Sequence, residues 1–371
     1  MKNEPQVCDL LRRGMTYAEL YEKHGVKACP YNNKISLAYD QIDARESDVV
    51  SQQCRGLVLR EGTFEVLARP FDRFFNLGQG AAADIDWSTT HFEEKHDGTL
   101  LIVYNDYKKW CAATRQSCEA QGEVIDGMTF AQLADEAARN HGWRSIQDMM
   151  DDRLIEFTWM FELTAPHNRI LVAYEKPTLT LLGVRNRYTG DEHDPRGLCN
   201  SLGVPTPKIY SVNSAEEMQE FMRDWKPTEH EGVVAKDAQY RRVKIKTPAY
   251  VAAHKIADST GKSWRRVAEL VISGGADDVI PTVPEFLQER IMSMQEAVRK
   301  LIAEIVADYD RIKHLEDQKA FALEAQKTKW SGALFAVRSG KAASIGDFVR
   351  KAQPKTIVRL AGFDDDEGES D

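Results

Sequence analysis

The chain has 371 residues, 42% hydrophobic and 29% charged, with a formal net charge of −9, long enough for two domains with separate cores. No run of eighteen apolar residues occurs, which argues against a membrane span, and Met1-Lys2-Asn3-Glu4-Pro5 lacks the apolar core of a secretion signal; a soluble cytoplasmic protein without a membrane partner is expected. Cys8, Cys29, Cys54, Cys111, Cys118 and Cys199 are scattered without metal-site spacing, which argues against zinc and for reduced thiols.

The acidic balance disfavours a nucleic-acid partner at first sight. Six of the charges, however, lie in Asp364-Asp365-Asp366-Glu367-Gly368-Glu369-Ser370-Asp371, leaving 49 basic against 52 acidic residues elsewhere. The remainder is close to neutral, so local basic patches decide the question, and residues 361–371 read as a solvated, disordered tail.

In chain order, residues 5–24 predict helices stopped by Gly25, and residues 35–39 a strand before a polar segment over residues 40–53. Arg55-Gly56-Leu57-Val58-Leu59-Arg60 and Phe64-Glu65-Val66-Leu67-Ala68-Arg69-Pro70 flank a short turn and predict a hairpin. Arg55 and Arg73 border it; arginine suits phosphate oxygens, and equally the solvated end of a strand.

Phe92-Glu93-Glu94-Lys95-His96-Asp97-Gly98 then leads into the apolar strand Leu100-Leu101-Ile102-Val103-Tyr104. Lys95 stands at the strand's entrance, where burial or a neighbouring cation can depress an amine's pKa and free its lone pair for attack. Gly98 allows a close backbone approach. A Lys-x-Asp-Gly tetrad alone also fits a surface turn.

Residues 109–115 predict a partner strand and residues 129–141 a capped amphipathic helix. In Leu154-Ile155-Glu156-Phe157-Thr158-Trp159-Met160-Phe161-Glu162-Leu163, strand alternation places Phe157, Trp159, Phe161 and Leu163 on a core face and Glu162 on the other, facing a cleft or solvent. Residues 170–174 and 179–185 continue as β structure, and a short helix covers residues 215–225. Glu231-Gly232-Val233-Val234 and Tyr240-Arg241-Arg242-Val243-Lys244-Ile245-Lys246 are two further strands; Lys244 and Lys246 share a face, where a phosphate chain would relieve their repulsion, or where they protect an edge. Beyond residue 250 the pattern is helical: residues 264–272, a long charged stretch over residues 285–326, and short helices near Leu334 and Phe348.

Taken together, Lys95-x-Asp97-Gly98, Glu162, Glu231-Gly232-Val233-Val234 and Lys244-Ile245-Lys246 resemble, in that order, the motifs of the covalent nucleotidyltransferase superfamily of ligases and capping enzymes. Within it, Ser51 to Leu57, Arg69-Pro70-Phe71-Asp72-Arg73-Phe74-Phe75-Asn76 and Ala165-Pro166-His167-Asn168-Arg169-Ile170-Leu171-Val172-Ala173-Tyr174 are most similar to the bacteriophage RNA ligase 1 family, the tRNA-repair type of T-even phages. The likeness runs from about Ser51 to Tyr250, and more loosely through Gly274-Gly275-Ala276-Asp277-Asp278. Two departures stand out: Arg73 replaces a lysine common in that family, and Gln116 follows Arg115 where glycine is common.

The resemblance implies an α+β fold: an adenylation domain of antiparallel sheets with flanking helices over residues 1–254, and an all-helical domain over residues 255–360. It implies an ATP-dependent ligase that joins RNA 5′-phosphate and 3′-hydroxyl ends, with Lys95 as nucleophile. Lys244 and Lys246 would act in catalysis, and Arg55, Arg73, Lys95, Arg115, Glu162, Glu231, Lys244 and Lys246 in binding the nucleotide cofactor. Glu162 and Glu231 would hold Mg²⁺, with Mn²⁺ as a substitute. The expected partner is RNA, including nicked tRNA, acted on by a monomer; Trp264-Arg265-Arg266, residues 327–330 and residues 338–341 are modest candidates for RNA contact. A DNA ligase or a capping enzyme would share the nucleophile, and a silent RNA-binding module would lack the chemistry.

Overall fold

The structure is a computed structural model. It describes residues 3–363 except 108, 126, 151–153, 261–262, 275, 281–282 and 284, with backbone alone at 255–260 and 277–278. The acidic tail from residue 364, Gly275, and the side chains of Asp277 and Asp278 lie outside the described residues. Two compact units are present: residues 1–225 with 229–247, and residues 226–228 with the chain from 248.

The first unit opens with α1 (Gln6–Arg12) and α2 (Tyr17–His24). Thr16 and Glu19 form a reciprocal capping box at the start of α2, and Gly25, at φ 60°, ends it in the left-handed region that glycine adopts without strain. Next come β1 (Val26–Tyr31), β2 (Lys34–Tyr39), α3 (Val49–Gln53), β3 (Arg55–Arg60) and β4 (Val66–Ala68). These four strands form an antiparallel sheet in order β1-β2-β3-β4, with Leu20, Leu37, Leu57 and Leu59 buried in its core.

The chain continues through β5 (His91–Lys95), β6 (Thr99–Asp106), β7 (Lys109–Ala113), β8 (Glu123–Ile125), β9 (Met128–Thr129), α4 (Phe130–Asn140) and α5 (Ile146–Met149). There follow β10 (Phe157–Thr164), β11 (Thr178–Asn186), β12 (Glu192–His193), α6 (Arg196–Leu202), β13 (Ile209–Tyr210), α7 (Ala215–Phe221), β14 (Gly232–Lys236) and β15 (Arg242–Lys246). Among the described residues these strands build a sheet ordered β12-β11-β10-β6-β7, another ordered β13-β5-β14-β15, and the ribbon β8-β9.

Strand alternation sorts the side chains as expected. Trp159, Phe161 and Leu163 enter a core with Leu101, Val103 and Leu133 of α4, whereas Phe92, Val233, Val243 and Ile245 pack with Met218 of α7. The opposite faces of β5, β14, β15 and β10 are thereby left for polar work.

Residues 170–174 form no strand, contrary to the sequence expectation. The reason is a contact distant in sequence: the backbone N–H groups of Leu171 and Val172 both donate to Asp97 Oδ2, at 2.8 and 2.9 Å, instead of to a ladder.

The second unit comprises α8 (Pro248–Thr260), α9 (Trp264–Ser273), α10 (Ala276–Val279), α11 (Glu285–Ile312), α12 (Gln318–Ala325), α13 (Ser331–Arg338), α14 (Ile345–Lys351) and α15 (Pro354–Ala361). Leu287, Ile291, Met294, Val298, Leu301 and Ile305 recur on one face of α11 with helical spacing. They share a core with Val267, Phe321, Leu334 and Ile357. No helix among the described residues is long and apolar enough to cross a membrane.

Candidate active site

Lys95 closes β5, and the turn His96-Asp97-Gly98 carries the chain from one sheet into β6 of the other. Hydrogen bonds at Asp97, Gly98 and Thr99 fix that turn. Asp97, 2% exposed, accepts the two N–H bonds from Leu171 and Val172, while its own backbone N–H donates to Tyr174 Oη at 2.9 Å. Gly98 N–H donates to Glu162 Oε1 at 3.1 Å. Asn168 Nδ2 donates to Thr99 Oγ1 at 3.0 Å and to the Leu163 carbonyl at 3.2 Å. At Gly98 a Cβ would stand 2.5 Å from the Leu163 carbonyl oxygen, so the close approach of β10 needs glycine.

The register of the other sheet assembles the cations. Gly232 of β14 lies between Lys95 of β5 and Lys246 of β15. It adopts φ 149°, and a Cβ there would meet the Ile245 carbonyl oxygen at 2.3 Å. The preceding Glu231 bridges both lysines, Oε2 to Lys95 Nζ at 2.7 Å and Oε1 to Lys246 Nζ at 2.8 Å. Two residues along the register, Lys244 shares the cavity face with Val234.

Lys95, Val234, Lys244 and Lys246 line a cavity of about 160 Å³ together with Arg55, Phe71, Phe74 and Glu162. Lys244 Nζ and the Arg55 guanidinium lie 4.8 and 5.1 Å from the centre of the Phe74 ring. Arg55 Nη1 is buried without a hydrogen-bond partner, the condition of a donor waiting for an anion. The lining carries five cations (Arg55, Lys95, Arg242, Lys244, Lys246) and three carboxylates (Glu93, Glu94, Glu162), with Glu231 bridging two of the lysines. Glu93 is paired with Lys236 and Arg242 with Glu192, and the remaining excess of cations favours an anion.

The electrostatics correct one sequence expectation. Burial pulls the Lys95 pKa down, but Glu231 and Glu162 outweigh it, and the pKa is raised. The nucleophile candidate is thus a protonated ammonium held by a carboxylate. The depressed amine is Lys244, lowered to about 7 by burial and by Arg55, Lys95 and Lys246. Glu162 is raised to about 7, chiefly by burial and also by Glu231, against Lys95 and Arg55. Glu231 is lowered: burial opposes ionisation, and the two lysines overcome it.

Of the residues singled out from sequence, Arg55, Lys95, Glu162, Glu231, Lys244 and Lys246 are brought together. Arg73 and Arg115 are not among the residues lining this cavity; their guanidinium groups lie 4.3 and 5.2 Å from the centre of the Tyr39 ring. Sequence reasoning missed Phe74, Arg242 and the Asp97–Tyr174 strap. Arg242 was findable, since the alternation that selects Lys244 and Lys246 also places it on their face; it pairs with Glu192 at 2.6 Å and lies 4.2 Å from the centre of the Phe71 ring.

Among the described residues no group of three or more Asp, Glu, His or Cys side chains gathers to hold a metal. Glu162 on the lining and Glu231 beside it are hard carboxylates of the kind that suit a divalent cation, whose other ligands would be water and phosphate oxygens.

The family model described as RNA ligase matches residues 53–250. A protein of Autographa californica nuclear polyhedrosis virus, whose name couples a polynucleotide kinase to an RNA ligase, is 29% identical over 358 residues, covering 92% of this chain and 51% of its own length. The chain thus spans about half of that relative. The RNA ligase of Rhodothermus phage RM378 is 25% identical, with 71% of this chain and 73% of the phage protein covered. An archaeal ATP-dependent RNA ligase structure aligns over 90% of this chain and 80% of its own, with 14% identity and a TM-score of 0.45. With more than half of its length matched by that family model, the chain belongs to the RNA ligase family.

Proposed function

We propose that this protein is an ATP-dependent RNA ligase that joins 5′-phosphate and 3′-hydroxyl RNA ends through a lysyl-adenylate and an RNA-adenylate. The observation that supports the reading most is the convergence of Lys95 with Arg55, Lys244 and Lys246 on one cavity, under a carboxylate that bridges two of the lysines. Phosphoryl transfer needs positioning and charge neutralisation more than covalent help from the protein, and this site supplies both.

In the first step Lys95 Nζ, having given up a proton, attacks the α-phosphorus of ATP. A P–N bond forms, the bond to the β-phosphate oxygen breaks, and pyrophosphate leaves. Arg55, Lys244 and Lys246 bind phosphate oxygens along that path. In the second step the RNA 5′-phosphate oxygen takes the AMP from Lys95. In the third, the 3′-hydroxyl attacks the activated phosphate, and AMP departs with the electron pair. Glu162 and Glu231 would hold a divalent cation, which neutralises phosphate charge. Drawing Glu231 and Glu162 away from the ammonium would lower the raised Lys95 pKa and favour its neutral amine.

The cavity is narrower than the roughly 300–1,000 Å³ of pockets that enclose a ligand. A nucleotide therefore parts the Lys95–Glu231–Lys246 bridge or stays partly open to solvent. The same reading takes the protein as a cytoplasmic monomer of the phage RNA ligase 1 type, whose helical unit selects a folded RNA such as a nicked tRNA.

Incubation of a 5′-phosphorylated oligoribonucleotide with ATP and Mg²⁺ should give joined or circular product, and Lys95→Ala should give none. Joining by Lys95→Ala, or a requirement for GTP, would reject the reading.

A further inference from the structure

The turn between β14 and β15 is built on Asp237, 2% exposed. Its carboxylate accepts backbone N–H bonds from Asp86 at 3.1 Å, Gln239 at 3.0 Å and Arg241 at 2.9 Å, and one from Arg241 Nε at 2.7 Å. This scaffold holds Tyr240 at φ 61°, a conformation that a bulky residue keeps only when its surroundings impose it. Tyr240 and Arg241 thereby line a second cavity, of about 390 Å³, within the size range of pockets that take small ligands.

Phe71, Phe74 and Arg242 line both cavities, so the two share a wall. The carboxylates that reach the second cavity are already paired, Asp72 with Arg185 at 2.9 Å and Glu192 with Arg242 at 2.6 Å. Arg73, by contrast, has no carboxylate partner among the described residues. Its guanidinium lies 4.3 Å from the centre of the Tyr39 ring and 4.9 Å from that of Phe75, and donates to the Ala44 carbonyl at 3.3 Å. Aromatic rings beside a cation lacking an anion are the means by which proteins hold single-stranded nucleic acid.

The geometry points to the second cavity as the seat of a terminal nucleotide of single-stranded RNA, its base against the half-buried Tyr240 ring and its phosphate beside Arg73, flanked by Arg241, whose Nε is held by Asp237. The inference rests on the ligase reading, which requires an RNA end next to the adenylate at Lys95. Two ends share this chemistry: the first nucleotide of the 5′-phosphorylated donor and the last nucleotide of the 3′-hydroxyl acceptor.

Tyr240→Ala and Arg241→Ala in the full chain test it, with self-adenylation by ATP alone as the check on folding and on the first cavity. Both variants should adenylate like the wild type. The KM for RNA should rise about tenfold, the size of effect that removal of a stacking ring produces. If the donor end sits here, the rise appears in AMP transfer to a 5′-phosphorylated oligoribonucleotide. If the acceptor end does, it appears only when a pre-adenylated oligoribonucleotide is sealed to an acceptor. Binding of a fluorescein-labelled oligoribonucleotide, read by anisotropy, should weaken by a similar factor and reports on the site even if the ligase reading fails. Unchanged anisotropy with unchanged RNA steps, or a loss of self-adenylation as large as the loss in the RNA steps, would overturn the assignment.

Discussion

Replacement of Glu231 by glutamine tests how the cavity is held in the nucleotide-free protein. The carboxylate is 4% exposed and bridges Lys95 at 2.7 Å and Lys246 at 2.8 Å, side chains that are 21% and 27% exposed. Removing one partner of a buried ion pair costs about 3–5 kcal/mol. Glutamine keeps one acceptor oxygen, and the lysines retain some water, so the lower end, about 3 kcal/mol, is expected at pH 7.

The pH dependence follows from the two shifts. Burial pulls the Lys95 pKa down, yet Glu231 and Glu162 raise it overall. Its contribution is therefore fully present below the unfolded lysine value of about 10.4 and is lost as pH rises through the higher folded value. Burial opposes ionisation of Glu231, yet Lys95 and Lys246 lower its pKa. That contribution is present above the unfolded value of about 4.3 and is lost as pH falls through the lower folded value. The part of the gap between wild type and Glu231→Gln that comes from these two groups should thus stay level between about pH 5 and pH 10 and shrink at both ends. Urea unfolding followed by intrinsic fluorescence across that range measures it. A gap under about 1 kcal/mol, the size of a surface pair, or one that persists unchanged at pH 3, would refute the buried bridge.

Gly98→Ala places a Cβ 2.5 Å from the Leu163 carbonyl; self-adenylation should fall at least about tenfold, the rate equivalent of about 1.4 kcal/mol, and a wild-type rate would show that the turn has room. Lys244, depressed to about 7 by burial and neighbouring cations, binds fewer protons folded than unfolded between about pH 7 and pH 10.4. Lys244→Met should accordingly be more stable than the wild type at pH 6 and lose that advantage as pH climbs; thermal melts that show no pH trend would contradict the shift. Glu162, raised to about 7 mainly by burial, must lose a proton to hold a cation. Mn²⁺ binding followed by electron paramagnetic resonance should weaken from pH 8 to pH 6, and should lose that dependence in Glu162→Gln.

Much of the site could be read from residue order because strand alternation and motif spacing act locally. Lys244 and Lys246 face one way for the same reason that Trp159 and Phe161 face away from Glu162. What escaped depends on contacts distant in sequence. The β1 strand was not anticipated because Lys27 and Pro30 interrupt its apolar pattern, although Asn32 and Asn33, at φ 47° and 57°, form the left-handed pair that tight hairpins use. Residues 170–174 have strand composition but spend their N–H groups on Asp97, 74 residues earlier in the chain from Leu171. The protonation of Lys95 is likewise a matter of register. Only the pairing of Lys95 with Gly232 brings Glu231 to its ammonium, and that carboxylate is the largest of the influences that raise the amine against its burial.

Mass spectrometry of the purified protein after exposure to ATP and Mg²⁺ tests the central claim most directly. The account predicts a single AMP adduct on the peptide spanning residues 92–104, at Lys95, labile to acid and stable to base as a phosphoramidate, and absent from Lys95→Ala. A folded protein that stays unmodified, or one that carries the adduct on another residue such as Lys244, would contradict it.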